Sequence, residues 1–489
     1  MPKAVWLGLL ISLVVFFAHT RPGSVCDSSN FSLVEGLLEK GSFQTGDSHY
    51  FNRWDMAFYQ GHFYSGKQPL LALLTVVVLF PVHLFVTFGA ESGRLLLYYL
   101  AVVISNGSAL ILLFIFLRRA FSMVRSSDGR SDWVLAYIFF GSAILPFSGT
   151  YNTGLLEASL LFAAFTCLLD YRVKGNTRSP VLCGLWLGLS TLLHIFSGAI
   201  FIVWTAVYFL TCRLKDLFRF LLTAFVVLLI GMALNQWEHG NPKPFYLMTE
   251  TYIYEKSPRL FDPKLSNLSE EKLSRRLDDL RLPPWQKAAS IGAYRRYHEN
   301  VSNSFEFAKA GFLTHDFLNL TPIFIVGFLS MILCLFDKSF RFKRETLWVV
   351  LGLVSAFAGL LVTRSDPGWS FGDRYLIPLT PLTLFFTLFY FKNENHFVFF
   401  KLFFWIAFAM MLPGIVQPWH TPNADFAKWN LLINTVILGL HLLSGLFKGV
   451  SRVVRWFHDL LARWPWVGAA LVAGLLRFEF TLFAGQVFF

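Results

Sequence analysis

Charge is what this sequence has least of. Only 15% of its 489 residues are Asp, Glu, Lys or Arg, against about 25% in a soluble domain. So thin a charged coat cannot cover one or two soluble domains of this length. Cysteine is also scarce, with five in all, and there is neither a Cys-x-x-Cys pair nor any metal-ligand spacing, which excludes a disulfide scaffold. Cys167, Cys183, Cys212 and Cys334 lie in or beside apolar segments and read as small buried hydrophobes; Cys26 stands alone after the first apolar stretch. A Gly-rich phosphate loop, a Gly-x-Ser-x-Gly elbow and a paired HxxxH are all missing, so nothing supports a nucleotide-dependent reaction. Internal repeats and low-complexity segments are absent too. What is present is apolar: 55% of residues are hydrophobic, 18% are aromatic, and 55 are Phe. A water-facing surface does not tolerate this, and a disordered chain does not carry it. The composition is that of an all-α polytopic membrane protein.

The first apolar run, 4–18, ends in Ala18-His19-Thr20-Arg21. That is a poor small-residue cleavage site, so the run reads as a retained first helix. Further apolar runs lie at 95–117, 133–148, 155–169, 181–195, 197–211, 218–235, 312–336, 346–363, 374–391, 398–416, 430–447 and 466–485. Several have the roughly 20 residues needed to cross about 30 Å of hydrocarbon. The run 69–89 is ambiguous, and the net charge of +12 decides it. If 69–89 does not span, the basic loops around Arg118-Arg119, Arg172…Lys174, Arg213…Lys215, Lys338…Arg344 and Lys448…Arg455 all fall on one side, as the positive-inside rule expects. The segment 69–89 is therefore read as interfacial or re-entrant on the outer face. That gives about 13 spans, with the N-terminus inside and the C-terminus outside. The chain is one integral membrane domain, 1–489. Its outer face holds a first loop at 20–93, with interfacial helices, and a large loop at 236–311. In the large loop, Ser269-Glu270-Glu271 opens a capped helix that Pro283-Pro284 stops.

The first outer loop is the most informative stretch. It reads Gly46-Asp47-Ser48-His49-Tyr50-Phe51-Asn52-Arg53-Trp54-Asp55, then Gly61-His62-Phe63-Tyr64-Ser65-Gly66-Lys67-Gln68-Pro69-Leu70. Tyr50/Phe51, Trp54 and Phe58 recur at helical spacing and Gly61 ends the pattern. Asp47 then reads either as an N-cap or as a carboxylate acting as a base, two compatible roles. Lys67 reads as an interfacial anchor or as a phosphate ligand. Arg374 opens the run 374–391. An Arg there works against the helix dipole and is costly at a bilayer edge, so it calls for an anion, either Asp366 or Asp373 or a ligand phosphate. Glu157 is an intramembrane carboxylate near the outer end of its run and so a functional candidate. His194 lies at the outer hinge between two short runs, where a satisfied structural histidine is the commoner case.

These stretches together resemble the polytopic GT-C glycosyltransferases, which take sugar from a polyprenyl- or dolichyl-phosphate carrier; protein O-mannosyltransferases and lipid A aminoarabinose transferases belong to this class. Gly46-Asp47-Ser48-His49-Tyr50 resembles the family's acidic motif. The segment from Gly61 to Leu70 resembles a following Tyr-x-x-Lys-Pro-Pro-Leu, although Gln68 stands where Pro is common. Gly372-Asp373-Arg374-Tyr375-Leu376-Ile377-Pro378 resembles a Gly-x-Arg-Tyr-Leu-x-Pro segment. The motifs cover about 40 residues and the topology most of the chain. The resemblance implies an inverting transfer to an acceptor hydroxyl on the outer or lumenal face. Asp47 would be the general base, Lys67 and Arg374 would stand near the carrier phosphate, and His49, Tyr50, Glu157 and His194 would line the substrates. The implied partners are the membrane, a polyprenyl-phosphate-linked sugar, and a glycan, lipid or protein acceptor; nucleic acid is not among them. A divalent metal is compatible with this chemistry, but no ligand cluster demands one. The membrane would be a bacterial inner membrane or, in a eukaryote, the endoplasmic reticulum. The competing readings are a ligase or polymerase of lipid-linked glycans and a lipid-glycan transporter or flippase.

Overall fold

A computed structural model of the chain describes residues 2–51, 55–124, 129–248, 252–253, 322–363, 374–391 and 394–416, with isolated positions at 271–278 and 435–456. Helices dominate. They run α1 Lys3–Phe17, α2 Val25–Lys40, α3 Leu70–His83, α4 Glu91–Met123, α5 Arg130–Phe140, α6 Ile144–Phe147, α7 Gly154–Lys174, α8 Ser179–Leu193, α9 Ile195–Leu210 and α10 Leu214–His239. Beyond these come helices Pro322–Phe336 and Lys343–Thr363, a 3₁₀ turn Arg374–Leu379, short helices Thr380–Phe385 and Thr387–Tyr390, and a helix Glu394–Val416. The expected runs 430–447 and 466–485 lie almost wholly outside the described residues. So does most of the large loop 236–311, though Glu271, Ser274, Arg275 and Asp278 in it are helical.

Three described helices, α4, α7 and α10, are long and apolar enough to cross a membrane. With the shorter apolar helices beside them they make a multi-pass membrane protein. Continuous apolar runs become helices because no water is present in the bilayer to satisfy exposed backbone N–H and C=O groups. The segment α3 has 14 residues, about 21 Å of helix, short of the ~30 Å hydrocarbon thickness. Leu71, Ala72, Thr75 and Leu79 face the protein, while Leu74, Val77, Val78 and Phe80 are exposed. An apolar face turned outward on so short a helix suits the membrane interface.

The basic turns gather at one end of the bundle, tied by the half-buried Asp132 and the buried Asp170, Asp216 and Glu345. Arg118 pairs with Asp132 at 2.9 Å, and Arg119 and Lys174 pair with Asp170 at 3.2 and 3.1 Å. The Tyr171 hydroxyl donates to Asp216 at 2.9 Å and the Tyr208 hydroxyl to Glu345 at 2.6 Å. These links reach from α4 to helix Lys343–Thr363. The loop around Lys448 lies outside the described residues.

The opposite end carries residues 18–93. The helix α2 starts at Ser24, whose hydroxyl accepts from the Asp27 amide at 3.1 Å, and stops at Gly41 in the left-handed region at φ 60°. The spacing of Tyr50/Phe51, Trp54 and Phe58 predicts a helix; residues 52–54 lie outside the described residues, and from Met56 a β-hairpin forms instead. It pairs β1 Met56–Tyr59 with β2 His62–Ser65, with Met56 opposite Ser65 and Tyr59 opposite His62. Gln60 and Gly61 both have positive φ, 49° and 87°, the geometry of a two-residue type I′ turn. Gly61 thus turns a hairpin rather than ending a helix, and the aromatic residues at 58, 59, 63 and 64 favour strand. A third strand, β3 Tyr252–Ile253, pairs antiparallel with β1. This small sheet departs from the all-helical expectation.

The loop is held down by aromatic packing. Phe31 on α2 meets Tyr50, Tyr98 and Tyr151 edge-on, with ring centroids 4.9, 5.0 and 5.6 Å away. Tyr151 also donates to Thr75 of α3 at 2.7 Å. One buried ring thereby joins α2, the 47–50 turn, α4 and the turn before α7. Replacing Phe31 by Ala should cost about 3 kcal/mol or more, seen as a lowered thermal midpoint of the detergent-solubilised protein.

Candidate functional site

The turn around Asp47 is built by Glu35. Glu35 sits on α2 between apolar residues, and its side chain is 6% exposed. Its carboxylate accepts from the Ser48 hydroxyl, from the His49 amide at 2.9 Å and from the His49 ring Nδ1. A buried carboxylate needs such donors, and these three fix residues 48–49 against α2. The Tyr50 hydroxyl then donates to the Arg94 carbonyl at 3.1 Å. Burial first, then the Glu35 charge, pushes its pKa well above the ordinary phenol value, so Tyr50 stays a neutral donor.

Asp47 points away from this core. It lies in a turn, not at a helix N-terminus, and its side chain is 85% exposed. Its partner is Lys40 at 2.8 Å, not another of the predicted site residues. The Lys40 hydrogen bond and charge hold its pKa below the ordinary carboxylate value, so it is ionised at neutral pH.

Lys67 lies just after β2. Its ammonium is 2.6 Å from Asp55, which is 1% exposed, whereas the Lys67 side chain is 25% exposed. The sequence reading passed over Asp55 because the pairing depends on hairpin register. With Met56 opposite Ser65, residues 55 and 67 fall just beyond the strand ends.

Glu157 and His194, named separately from the sequence, are brought together. Glu157 stands in the first turn of α7 and is buried. The α8–α9 hairpin turns on the single extended residue His194, φ −149° and ψ 112°. Ser197, in the first turn of α9, donates to Glu157 and lies 3.3 Å from His194 Nδ1; that nitrogen is 3.9 Å from the Glu157 carboxylate. The close turn needs Gly198, where a Cβ would stand 2.4 Å from the Thr191 amide nitrogen. Arg374 begins the 3₁₀ turn Arg374–Leu379, which packs on the start of α7: a Cβ on Gly154 would meet Ile377 at 3.6 Å. Gly372, Asp373 and Asp366 lie outside the described residues.

A second Glu–His pair was missed. Glu238 and His239 close α10, both buried, with His239 Nδ1 3.7 Å from Glu238 and Nε2 3.0 Å from the Lys243 carbonyl. Phe245 stacks on the His239 ring at 4.1 Å, and Tyr59 and Tyr64 approach its edge. Burial, and then the Glu238 charge, raises the Tyr64 pKa. The signal in the sequence was a charged dipeptide directly after an apolar run. Among the described residues, no three His, Cys, Asp or Glu side chains gather in a way that could hold a metal ion.

Among solved structures, this chain is similar at low identity to two membrane proteins. One is ArnT from Cupriavidus metallidurans bound to undecaprenyl phosphate, with a TM-score of 0.49 and 13% identity over 98% of this chain and 78% of that one. Another is the Archaeoglobus fulgidus oligosaccharyltransferase in complex with Zn and sulfate, with a TM-score of 0.46 and 14% identity over 85% of this chain and 53% of that one. This chain therefore spans about half the length of the archaeal protein. No family model and no curated protein matches it. Identity this low leaves function to be argued from the chain's own residues.

The Glu35 clamp makes a local prediction. Glu35→Ala leaves the Ser48 hydroxyl and the His49 amide without their acceptor, at about 1–3 kcal/mol. Hydrogen exchange across 46–50 should quicken by roughly tenfold or more, with the α4 peptides unchanged.

Proposed function

We propose that this protein is a membrane glycosyltransferase that moves a sugar from a polyprenyl-phosphate carrier to an acceptor hydroxyl, with inversion. The site is the loop-bearing end of the bundle, opposite the basic turns; by the positive-inside rule that end is the outer or lumenal face. One observation carries the reading: a single folded loop holds an exposed, ionised Asp47 and a surface-reaching Lys67, on a bundle end that also carries Glu157, His194 and the Arg374 turn.

The chemistry follows from the residue types. The acceptor oxygen attacks the anomeric carbon as the bond from that carbon to the phosphate oxygen breaks. Asp47 takes the hydroxyl proton as attack proceeds. Negative charge grows on the departing lipid phosphate, and cations held in place stabilise it with little reorganisation; Lys67 and Arg374 serve this role. His49, Tyr50, Glu157 and His194 offer hydrogen bonds to sugar and acceptor hydroxyls. One displacement inverts the anomeric centre.

The test is product formation by purified protein from a polyprenyl-phosphate monosaccharide. Asp47→Asn should abolish transfer without loss of folding, and full activity in that variant would overturn the role of Asp47. Turnover only with diphosphate-linked oligosaccharides would favour a ligase or polymerase, and transbilayer movement without transfer would favour a flippase.

The Lys40–Asp47 pair adds a pH prediction. The base must be ionised, and Lys40 lowers its pKa, so activity persists to lower pH. Lys40→Met releases Asp47 toward the ordinary carboxylate value. The acidic limb of the kcat/KM profile should therefore move to higher pH, with the plateau little changed.

A further inference from the structure

The buried end of the Asp55–Lys67 pair has a purpose that hairpin stability does not explain. Asp55 is 1% exposed and Lys67 25% exposed, so the anion lies inside and the cation reaches the surface. Several contacts hold the backbone that carries the anion. The Gly66 amide donates to the Asp55 carbonyl at 3.0 Å, extending the hairpin by one rung. The Ser29 hydroxyl of α2 donates to the same carbonyl at 2.6 Å and lies 2.9 Å from the Ser65 hydroxyl, which accepts from the Lys67 amide at 3.2 Å. Position 66 must be glycine, because a Cβ there would stand 2.7 Å from the Asp55 carbonyl oxygen and 3.2 Å from its carboxylate. Two chain segments and a helix are thus drawn together at the Asp55 backbone, from which the carboxylate reaches Lys67.

Burying a carboxylate to pair with a half-exposed lysine is a poor way to gain stability, since desolvation offsets the attraction. It is a good way to fix the direction of a flexible side chain. Lysine has a four-carbon stem and much rotamer freedom, and an unguided ammonium spends that freedom at each binding event. An ammonium has three N–H donors, so a contact with Asp55 does not exclude one with a phosphate.

We propose that Asp55 is a positioning residue for the transfer: it holds the Lys67 ammonium where the phosphate of the lipid-linked donor meets it. This rests on the reading of Lys67 as a phosphate ligand. Asp55 itself touches no reacting atom.

The experiment is a kinetic cycle on the full chain in detergent or nanodiscs, using a polyprenyl-phosphate monosaccharide and a fixed acceptor. The variants are Asp55→Asn, Lys67→Met and the double variant, each checked for folding by thermal unfolding. Asp55→Asn should raise the donor KM about tenfold and leave the acceptor KM unchanged. The double variant should be no worse than Lys67→Met alone, because Asp55 acts only through Lys67. Wild-type donor kinetics in a folded Asp55→Asn protein, with Lys67→Met impaired, would overturn the proposal and leave the role of Lys67 intact. So would a double variant whose losses multiply. Full activity in Lys67→Met would instead remove the reading of Lys67, and this proposal with it. If Asp55→Asn alone does not fold, the double variant leaves no unpaired buried charge, and its comparison with Lys67→Met decides the matter.

Discussion

Everything at the loop-bearing end depends on one ring. Phe31 touches Tyr50, Tyr98 and Tyr151, and through them the turn that carries Asp47 is set against α4 and the entry to α7. A loop of this length has little reason to adopt one pose on a membrane surface, because ordering it costs about 1–2 kcal/mol per residue of backbone. Burying aromatic area supplies the opposing free energy. Ring pairs in edge-on geometry add a directional part to it, which fixes orientation as well as position. The polar contacts of Glu35 and of the Asp55 carbonyl then refine a placement already made.

Among the described residues, the buried carboxylates and their partners stand at two rims. At one rim Asp132, Asp170, Asp216 and Glu345 are engaged with Arg118, Arg119, Lys174, Arg219 and tyrosine hydroxyls. At the other stand Glu35, Asp55, Glu157 and Glu238, each buried and each beside a Lys, a His or a Ser. The two sets differ in use. The first stitches basic turns together and holds the helices in register. The second surrounds the loop and fixes the donors and acceptors around it. An ionised group in lipid is costly without a partner, which is why so few charges serve both tasks.

Much of the helical plan was legible in the sequence. The runs 95–117, 155–169 and 218–235 fall inside α4, α7 and α10, because a bilayer demands long apolar stretches and these are hard to mistake. The segment 69–89 holds the 14-residue α3, one residue shorter than α1 and α8. Other features were hidden for physical reasons. The helix α2 mixes buried polar and apolar residues and has no long apolar run to announce it. The hairpin 56–65 was read at helical period, since its aromatic residues fit either spacing over so short a stretch, and only the left-handed Gln60-Gly61 turn separates the two. Glu157 and His194 were each visible alone, yet their meeting through Ser197 depends on how α7 packs against α8 and α9. Asp55 was on the page as a letter, but its link to Lys67 exists only in the strand register.

The third strand of the small sheet has a bearing on how the molecule is made. Ala57 and Phe58 pair with Ile253 and Tyr252, and the helices from α3 to α10 lie between them in the chain. During synthesis the hairpin therefore emerges long before the strand that covers its edge. Until residue 253 arrives, β1 presents unpaired backbone groups of the kind that invite wrong partners. The strand is only four residues long, and that brevity limits the exposure. The small sheet thus closes only after α3 to α10 have been made, and its completion reports that those helices have already emerged.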